Sequence, residues 1–460
     1  MSVLVLLALA VQNDTAAINR YVQAELERQR IPGLSLAVLR GDSVLLSRGY
    51  GFANVELRVP ASDSTVYQSG SMGKQFTAAL VEMLVEQGRL RLDDSIARWF
   101  PEGAAVWRGV TVRRLLTHTA GIAEYTDSTF DYRKDYTEDE LVKFAASRPL
   151  DFQPGERWRY SNTGYLLLGA LIRRVSGQFY GDLLRDSVFR PLGMKDSRVI
   201  SEADIVPNRA AGYRQEEGAL KNQEWVAPML NTTADGALYF TVRDLTRWAR
   251  ALNHRAVAGA RMLDTAWTAV RLADGATYPY GFGWYLLPQR GQRRIAHTGS
   301  WQGFKTVIAR YPQRGVTVIV LANLAEAQVG AIAYGIAGLL DPSLRPPHLL
   351  PVPHGTHTPP PPIPDLLRAI VTKPDSADIT PRFRRFLSRD LTDWFTALVG
   401  PNRQLTFAGC DQAAAGFSYL GSTIAQVCHV RSVRPSGSGT AVSVFYTRDW
   451  HAAGVEGYGF

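Results

Sequence analysis

The sequence predicts an α+β fold, an α/β sandwich in which helices flank an antiparallel sheet and a long helical region is inserted into that sheet. Three observations lead to this prediction: strand-like runs near both ends of residues 13–340, helical periodicity between them, and a proline-rich segment followed by a mixed region. The chain of 460 residues is 46% hydrophobic and 20% charged, which suits two or three domains with full cores.

The predicted sheet begins after an amphipathic helix. Residues 14–30 place apolar side chains on one stripe, and Pro32 ends the helical pattern. Strand-like runs at residues 34–39 and 44–49 flank Gly41, which indicates a hairpin. The region therefore opens with one helix and two paired strands.

The same pattern returns at the other end of this region. Strands are predicted at residues 281–287, 294–297, 305–310 and 316–321, followed by a helix at 325–340. The two ends are expected to build one sheet, with residues 67–280 inserted between them.

The insertion is predicted to be mostly helical. After Ser71, apolar residues repeat at the period of a buried helix face, and Gly88 lies where a glycine commonly caps a helix. Further helices are expected at residues 138–146, 164–175, 180–188 and 242–252.

The clearest boundary is residues 341–364, which hold ten of the chain's 25 prolines. Such a segment cannot donate regular backbone hydrogen bonds, so an extended linker is expected. We interpret its histidines, His348, His354 and His357, as solvated residues rather than metal ligands. Residues 365–460 are predicted to form a small accessory α+β domain, with a helix at 380–398 and strands at 404–410, 416–420, 423–433 and 440–447.

Charge and cysteine content narrow the function classes. The formal charge of +9 is spread along the chain, so no nucleic-acid partner is expected. Cys410 and Cys428 lack the spacing of metal ligands, so no metal is expected, and no other cofactor is expected either. The two cysteines form either one disulfide or two buried thiols. Residues 1–12 have the apolar run of a signal peptide without its basic start, which favours a periplasmic or secreted protein with no integral membrane segment in the mature chain.

Three short strings carry the chemistry. The first, Ser71-Met-Gly-Lys74, places an amine on the same helix face as a hydroxyl, within reach of its proton. The second, Tyr160-Ser-Asn162, offers a phenol for proton transfer and an amide donor, and the third, His297-Thr-Gly299, offers a cleft wall. Each string alone also occurs by chance, and it is their order and conjunction that indicate an acylating serine hydrolase.

On these strings the chain resembles the serine β-lactamase and penicillin-binding-protein family, in the branch of class C β-lactamases, DD-peptidases, D-amino-acid amidases and related esterases. The resemblance covers residues 22–340, and its further strings are Leu115-Leu-Thr-His-Thr-Ala-Gly121, Pro154-Gly155, Pro191-Leu-Gly-Met194 and Tyr280-Gly-Phe-Gly-Trp284. It implies a β-lactamase/transpeptidase-like fold and a peptide, amide or ester substrate, including cell-wall-derived peptides.

The resemblance also implies a role for each site residue. Ser71 would form an acyl-enzyme with Lys74 or Tyr160 as its base, a choice that the sequence leaves open. The remaining site residues would be Asn162, His297, Thr298, Gly299 and Ser300, the last through a backbone amide that forms an oxyanion hole with that of Ser71.

One residue departs from the β-lactamases of this branch, which usually carry lysine where this chain has His297. Histidine is mostly neutral at pH 7, so charge would hold a substrate carboxylate less firmly. We therefore expect a DD-peptidase, D-aminopeptidase or esterase rather than an efficient β-lactamase. One alternative is a penicillin-recognising sensor with little turnover, suggested by the C-terminal region, and another is a cytosolic scaffold, suggested by the weak leader.

Three further residues are expected to be structural. His118 is predicted to lie at a helix end rather than to act as a base. For Trp284 and Trp301, a place in the core is favoured over a place in the cleft wall.

Overall fold

The computed structural model describes residues 3–126, 130–257, 259–346, 349, 363–373, 375, 377–387, 389–401, 403–413, 417–434, 439–449 and 451–459. Most of the predicted linker, including His348, His354 and His357, lies outside these residues. Within them, no helix combines the length and the apolar character that crossing a membrane requires.

Twelve α-helices occur among the described residues. They are α1 (Val3–Gln29), α2 (Lys74–Glu86), α3 (Val112–Leu116), α4 (Glu138–Ala146), α5 (Asn162–Ser176), α6 (Tyr180–Leu184), α7 (Val242–Asn253), α8 (Leu263–Ala266), α9 (Val329–Leu340), α10 (Ile363–Thr372), α11 (Pro381–Phe386) and α12 (Arg389–Val399). The first helix starts well before the predicted residue 14 and includes most of the predicted leader.

The strands are short in the insertion and longer at its two ends. They are β1 (Gly33–Arg40), β2 (Ser43–Asn54), β3 (Val59–Pro60), β4 (Tyr67–Gln68), β5 (Arg198–Val199), β6 (Tyr213–Glu216), β7 (Ala219–Asn222), β8 (Leu238–Phe240), β9 (Val270–Arg271), β10 (Thr277–Tyr278), β11 (Ile295–Trp301), β12 (Phe304–Tyr311), β13 (Val316–Ala322), β14 (Gln404–Gln412), β15 (Ser418–Tyr419), β16 (Ser422–Thr423), β17 (Gln426–Val433), β18 (Gly439–Tyr446) and β19 (Ala452–Gly459).

The central sheet has six strands in the order β11-β12-β13-β1-β2-β3, and each neighbouring pair is antiparallel. The middle strand β1 pairs on both sides, so that Leu36 lies opposite Val320 of β13 and Arg48 of β2. Because β1 comes early in residues 13–340 and β13 comes late, the two ends of this region build one sheet. The predicted α+β fold with an inserted helical region is confirmed.

Each face of this sheet has its own apolar core, because successive strand residues point to opposite faces. Leu36 and Val38 of β1 pack in the core under α1 and α9. Ala37 and Leu39 pack in the core that the insertion provides. The sheet is therefore the middle layer of a sandwich, with helices on both sides.

The helix that follows Ser71 is held inside the insertion. A 3₁₀ turn at Gly70–Gly73 leads directly into α2. Phe76 in the first turn of α2 is buried, with ring centroids 4.6 Å from Phe240 and 4.3 Å from Trp248. Burying one such side chain contributes about 1.5–3 kcal/mol. This packing fixes the start of α2 and the turn that presents Ser71.

Two predictions of secondary structure are wrong, and one strand was not predicted. Residues 281–287 do not form a strand, because Gly283, with φ of +72°, turns the chain against the backbone of Gln75. The helix predicted at 380–398 is two helices, α11 and α12. The last strand, β19, was not predicted, because its three glycines weaken the strand pattern.

The C-terminal residues form a four-stranded antiparallel sheet in the order β14-β17-β18-β19, with α10 packed on α12 and β14. Cys410 and Cys428 lie opposite each other on β14 and β17 and form a disulfide, which decides between the two alternatives. The core of this region is continuous with that of residues 13–340, since it includes Tyr278, Tyr280 and Leu287.

Asp411 forms a partly buried polar contact between the two regions. Its carboxylate accepts hydrogen bonds from Arg290 Nη2 at 2.8 Å and Nε at 3.0 Å, and His429 Nε2 lies 3.0 Å from Oδ2. Burial raises the pKa of Asp411, but the hydrogen bonds of His429 and Arg290 outweigh burial and hold the pKa at about 2. The ionised carboxylate therefore stabilises the fold above its unfolded pKa of about 3.9, and this stabilisation is lost as the pH falls toward 2.

Replacing this carboxylate tests the contact. We expect Asp411→Asn to lower the free energy of unfolding at pH 7 by about 1–3 kcal/mol, because Arg290 loses a charged acceptor. Thermal unfolding and limited proteolysis measure the change, with Asp365→Asn, in an exposed pair with Arg368, as the control. Equal melting temperatures for the two variants would contradict a stabilising contact.

Candidate active site

Ser71 lies where backbone segments from distant parts of the chain touch. Strand β11 runs beside the 3₁₀ turn Gly70–Gly73. A Cβ on Gly299 would lie 1.9 Å from Ser69 O, and one on Gly70, where φ is +52°, would lie 2.4 Å from Ser300 N. These glycines therefore allow the backbone of Ser300 to approach that of Ser71, as an oxyanion hole requires.

Lys74 is completely buried directly behind Ser71. Its Nζ donates to Ser71 Oγ at 3.1 Å, to Asn162 Oδ1 at 2.8 Å and to the backbone oxygen of Asp235 at 2.5 Å. The amine thus connects the nucleophile to the start of α5 and to the loop before β8. An ammonium uses all three of its protons in this arrangement.

Burial lowers the pKa of Lys74 to about 8, while the carboxylates of Asp235 and Glu124 oppose this shift. The pKa is lower because the apolar surroundings disfavour the ammonium. A neutral amine keeps two protons, one for Asn162 and one for Asp235, and its lone pair then points at Ser71 Oγ. The geometry can therefore support proton removal from Ser71 once Lys74 is neutral.

Tyr160 covers the same site from the other side, with its ring centroid 4.8 Å from Lys74 Nζ. Its hydroxyl oxygen is buried and makes no hydrogen bond of ordinary geometry with the described residues. Burial raises the pKa of Tyr160 well above its usual value, and Tyr285 adds to this, although the nearby Ser71 hydroxyl lowers it. The phenol therefore keeps its proton at neutral pH.

The loop that carries Tyr160 is fixed by buried polar contacts at the start of α5. Ser161 N–H donates to His118 Nδ1 at 3.1 Å, and the Ser161 side chain caps the helix by accepting from Gly164 N–H. Burial lowers the pKa of His118 well below its usual value, so the ring stays neutral as an acceptor. The structural role expected for His118 is thus what the structure shows.

Glu124 stabilises the same helix end. Its carboxylate accepts from Asn162 N–H at 2.7 Å and from Thr163 N–H at 3.3 Å. A negative charge at a helix N-terminus is favourable, and here it fixes the residue that holds Lys74.

His297 is buried and engaged at both ring nitrogens. Its Nδ1 lies 2.6 Å from Thr298 O, and its Nε2 lies 3.1 Å from the Tyr280 hydroxyl. Burial lowers the pKa of His297 to about 3, and the nearby Lys74 ammonium adds to this effect. The imidazole is therefore neutral at pH 7 and supplies no charge to a substrate.

Two cavities meet at Ser71 and Ser300. The larger, about 350 Å³, also contains Tyr160 and residues 297–300 of β11. The smaller, about 160 Å³, contains Asn162 and the carboxylate-bearing Asp235. The site residues named from the sequence, Ser71, Tyr160, Asn162, His297, Thr298, Gly299 and Ser300, all line these cavities, and Lys74 lies beneath them.

The two tryptophans differ in position. Trp284 is in the core, as favoured. Trp301 lines the smaller cavity instead, with Nε1 donating to Asn231 Oδ1 at 2.7 Å, because it stands at the end of the edge strand β11.

Sequence reasoning missed four residues of the site: Glu124, Asp235, Tyr280 and Lys305. Asp235 accepts the hydrogen bond of Lys74 through its backbone oxygen, so its side-chain type did not indicate this contact. Tyr280 begins the string Tyr280-Gly-Phe-Gly-Trp284, but no role in the site was predicted for it. Glu124 and Lys305 reach the site only through tertiary packing.

Comparisons with known proteins agree with this geometry. The family model described as Beta-lactamase matches residues 18–339. Penicillin-binding protein 4* of Bacillus subtilis (strain 168) is 31% identical over 318 residues, which are 65% of this chain and 70% of that protein. Penicillin-binding protein 4 of Amycolatopsis lactamdurans is 34% identical over 317 residues, which are 64% of this chain and 81% of that protein.

Two further proteins are similar to this chain. Protein flp of Staphylococcus aureus (strain MW2) is 26% identical over 322 residues, or 68% of this chain and 64% of that protein. The structure of the octameric penicillin-binding protein homologue from Pyrococcus abyssi superposes with a TM-score of 0.66 at 24% identity and covers 95% of this chain and 97% of that one, which shows a shared fold. With its family match over most of the catalytic region and its serine, lysine and tyrosine around one cleft, the chain belongs to the beta-lactamase family of serine hydrolases.

Proposed function

We propose that this protein hydrolyses a peptide, amide or ester through an acyl-enzyme at Ser71, which water then releases. The observation that carries the proposal is the contact of Lys74 Nζ with Ser71 Oγ at 3.1 Å, in a buried site where the amine has two other acceptors. A serine beside a general base is the arrangement that makes a weak nucleophile reactive.

In this proposal Lys74 is the general base. The neutral amine takes the proton of Ser71 while Asn162 and the Asp235 backbone oxygen hold its two N–H groups. Tyr160, whose pKa is raised well above its usual value by burial, acts as the proton donor to the leaving group. The proton then passes from Lys74 toward Tyr160 as the acyl-enzyme forms.

The backbone amides of Ser71 and Ser300 receive the negative charge that develops on the substrate oxygen. Support comes from the close backbone approach that Gly70 and Gly299 permit. The acyl part would then occupy one cavity and the leaving group the other.

Peptidase, amidase or esterase activity is proposed over efficient β-lactam hydrolysis. The neutral state of His297 supports this choice, because lysine would place a fixed charge at that position. We also propose a periplasmic or secreted location, which the Cys410–Cys428 disulfide favours because such bonds persist in oxidising compartments.

A covalent probe tests the nucleophile. We expect a fluorophosphonate to label Ser71 and expect Ser71→Ala to lose labelling and at least about 10³-fold in turnover, because the acyl-enzyme cannot form. The substrates are nitrocefin, a D-Ala-D-Ala peptide, a D-amino-acid amide and a p-nitrophenyl ester, with Ser176→Ala at the end of α5 as the control. Undiminished ester turnover by Ser71→Ala would refute the proposal, and a single burst without turnover would instead indicate a sensor.

The pH dependence tests the base. We expect kcat/KM to rise through pH 8 and then to level off, because only neutral Lys74 removes the proton and its pKa is about 8. No inflection is expected near pH 6.5, since burial holds the pKa of His297 at about 3.

Removing a charge near Lys74 tests whether Lys74 is the group that titrates in this pH profile. The Glu124 carboxylate raises the pKa of Lys74, so Glu124→Gln should move the midpoint to lower pH. Glu27→Gln, an exposed change on α1, is the control and should leave the midpoint in place. A midpoint that both variants share with the wild type would exclude Lys74 as the titrating base.

A further inference from the structure

The larger cavity contains a cation outside the three catalytic strings. Lys305 lies on β12 directly opposite Ser300 of β11, so the two side chains stand on the same face of the sheet. Both line the cavity that also contains Ser71 and Tyr160. Lys305 therefore lines the same cavity as the catalytic groups, one strand away from His297.

Lys305 is half-buried and lacks a partner within the described part of the chain. It makes no hydrogen bond and no ion pair within 4 Å there. Burial lowers its pKa and the nearby Glu326 carboxylate opposes that change, but Glu326 is bound to Gln215 N–H and does not line the cavity. A cation that is partly desolvated without a partner is a site for an anion.

The charges around the nucleophile differ between the two cavities. Among the described residues lining the larger cavity, Lys305 alone carries a charge at pH 7, because His297 is neutral. Asp235 is the charged residue among those lining the smaller cavity. A carboxylate on the substrate is therefore attracted to the larger cavity and repelled from the smaller one.

The position of the proton donor, Tyr160, determines which part of the substrate lies in the larger cavity. Tyr160 lines that cavity, and a leaving group must lie beside the group that protonates it. The acyl part then extends into the smaller cavity. The wall of the larger cavity is completed by Gly330 of α9 and by Gly459 of the C-terminal strand β19.

We propose that Lys305 is a specificity-determining residue that binds a carboxylate on the leaving group, so that a substrate whose leaving group carries a carboxylate is preferred over the same substrate with a neutral leaving group. This assignment rests on the proposed acyl-enzyme function and adds the chemical class of the leaving group. Lys305 supplies the charge that His297 cannot supply.

A matched pair of substrates tests this assignment. An N-acyl-D-Ala-D-Ala peptide with a free carboxylate is compared with the same peptide carrying a carboxy-terminal amide. We expect the wild type to prefer the free acid, and Lys305→Gln to lower kcat/KM for the acid by about 10- to 100-fold, mainly through KM, while the amide changes little. Lys305→Glu should lower it further, because it repels the carboxylate.

The controls separate this assignment from the proposed function. Lys221→Gln, an exposed change on β7, should behave as the wild type. Thermal unfolding of Lys305→Gln should match that of the wild type, which shows that the variant folds. If the wild type forms the adduct and turns over the ester but shows no preference for the free acid, the role of Lys305 is wrong and the proposed function stands. Equal losses on acid and amide would likewise overturn it, whereas absence of adduct and turnover in the wild type would refute the proposed function itself.

Discussion

The site depends on one constraint, the burial of the Lys74 amine among oxygen acceptors. The side chain is fully buried, and an isolated ammonium in such a place would be costly. Contacts with Asn162 Oδ1 and Asp235 O compensate that cost and come from two other parts of the insertion. The same two contacts direct the Lys74 amine at Ser71 Oγ. The hydrogen bonds that stabilise the buried amine therefore also orient it for proton removal from Ser71.

The remaining structure holds these acceptors in place. Asn162 is the first residue of α5, and that helix end is fixed by Glu124 and by the contact of Ser161 with His118. The oxyanion side depends instead on the edge strand β11, which reaches the 3₁₀ turn because Gly299 leaves room for it. The C-terminal region packs against the short strand β10, which contains Tyr278, and Gly459 of its strand β19 lines the larger cavity. This region therefore contributes to the cleft as well as to the core.

The sequence was sufficient for the class of fold, the pairing of the two ends into one sheet and the residues that face the cleft, because strand periodicity and the three strings are local signals. Other features depend on tertiary contacts. Gly283 breaks the predicted strand only because its turn packs on α2. Asp235 serves through a backbone oxygen, which no residue pattern reveals. The sequence around Lys305 predicts only a strand, and it is the pairing of β12 with β11 that places this residue opposite Ser300.

The most direct test of the central claim is the pKa of Lys74 itself, measured by NMR titration of lysine labelled at Cε and assigned with Lys74→Arg. We expect a pKa of about 8, well below the ordinary value of 10.5, because burial outweighs the nearby carboxylates. A pKa near 10.5 in the folded protein would contradict it, since the amine would then remain charged at neutral pH and could not take the proton of Ser71.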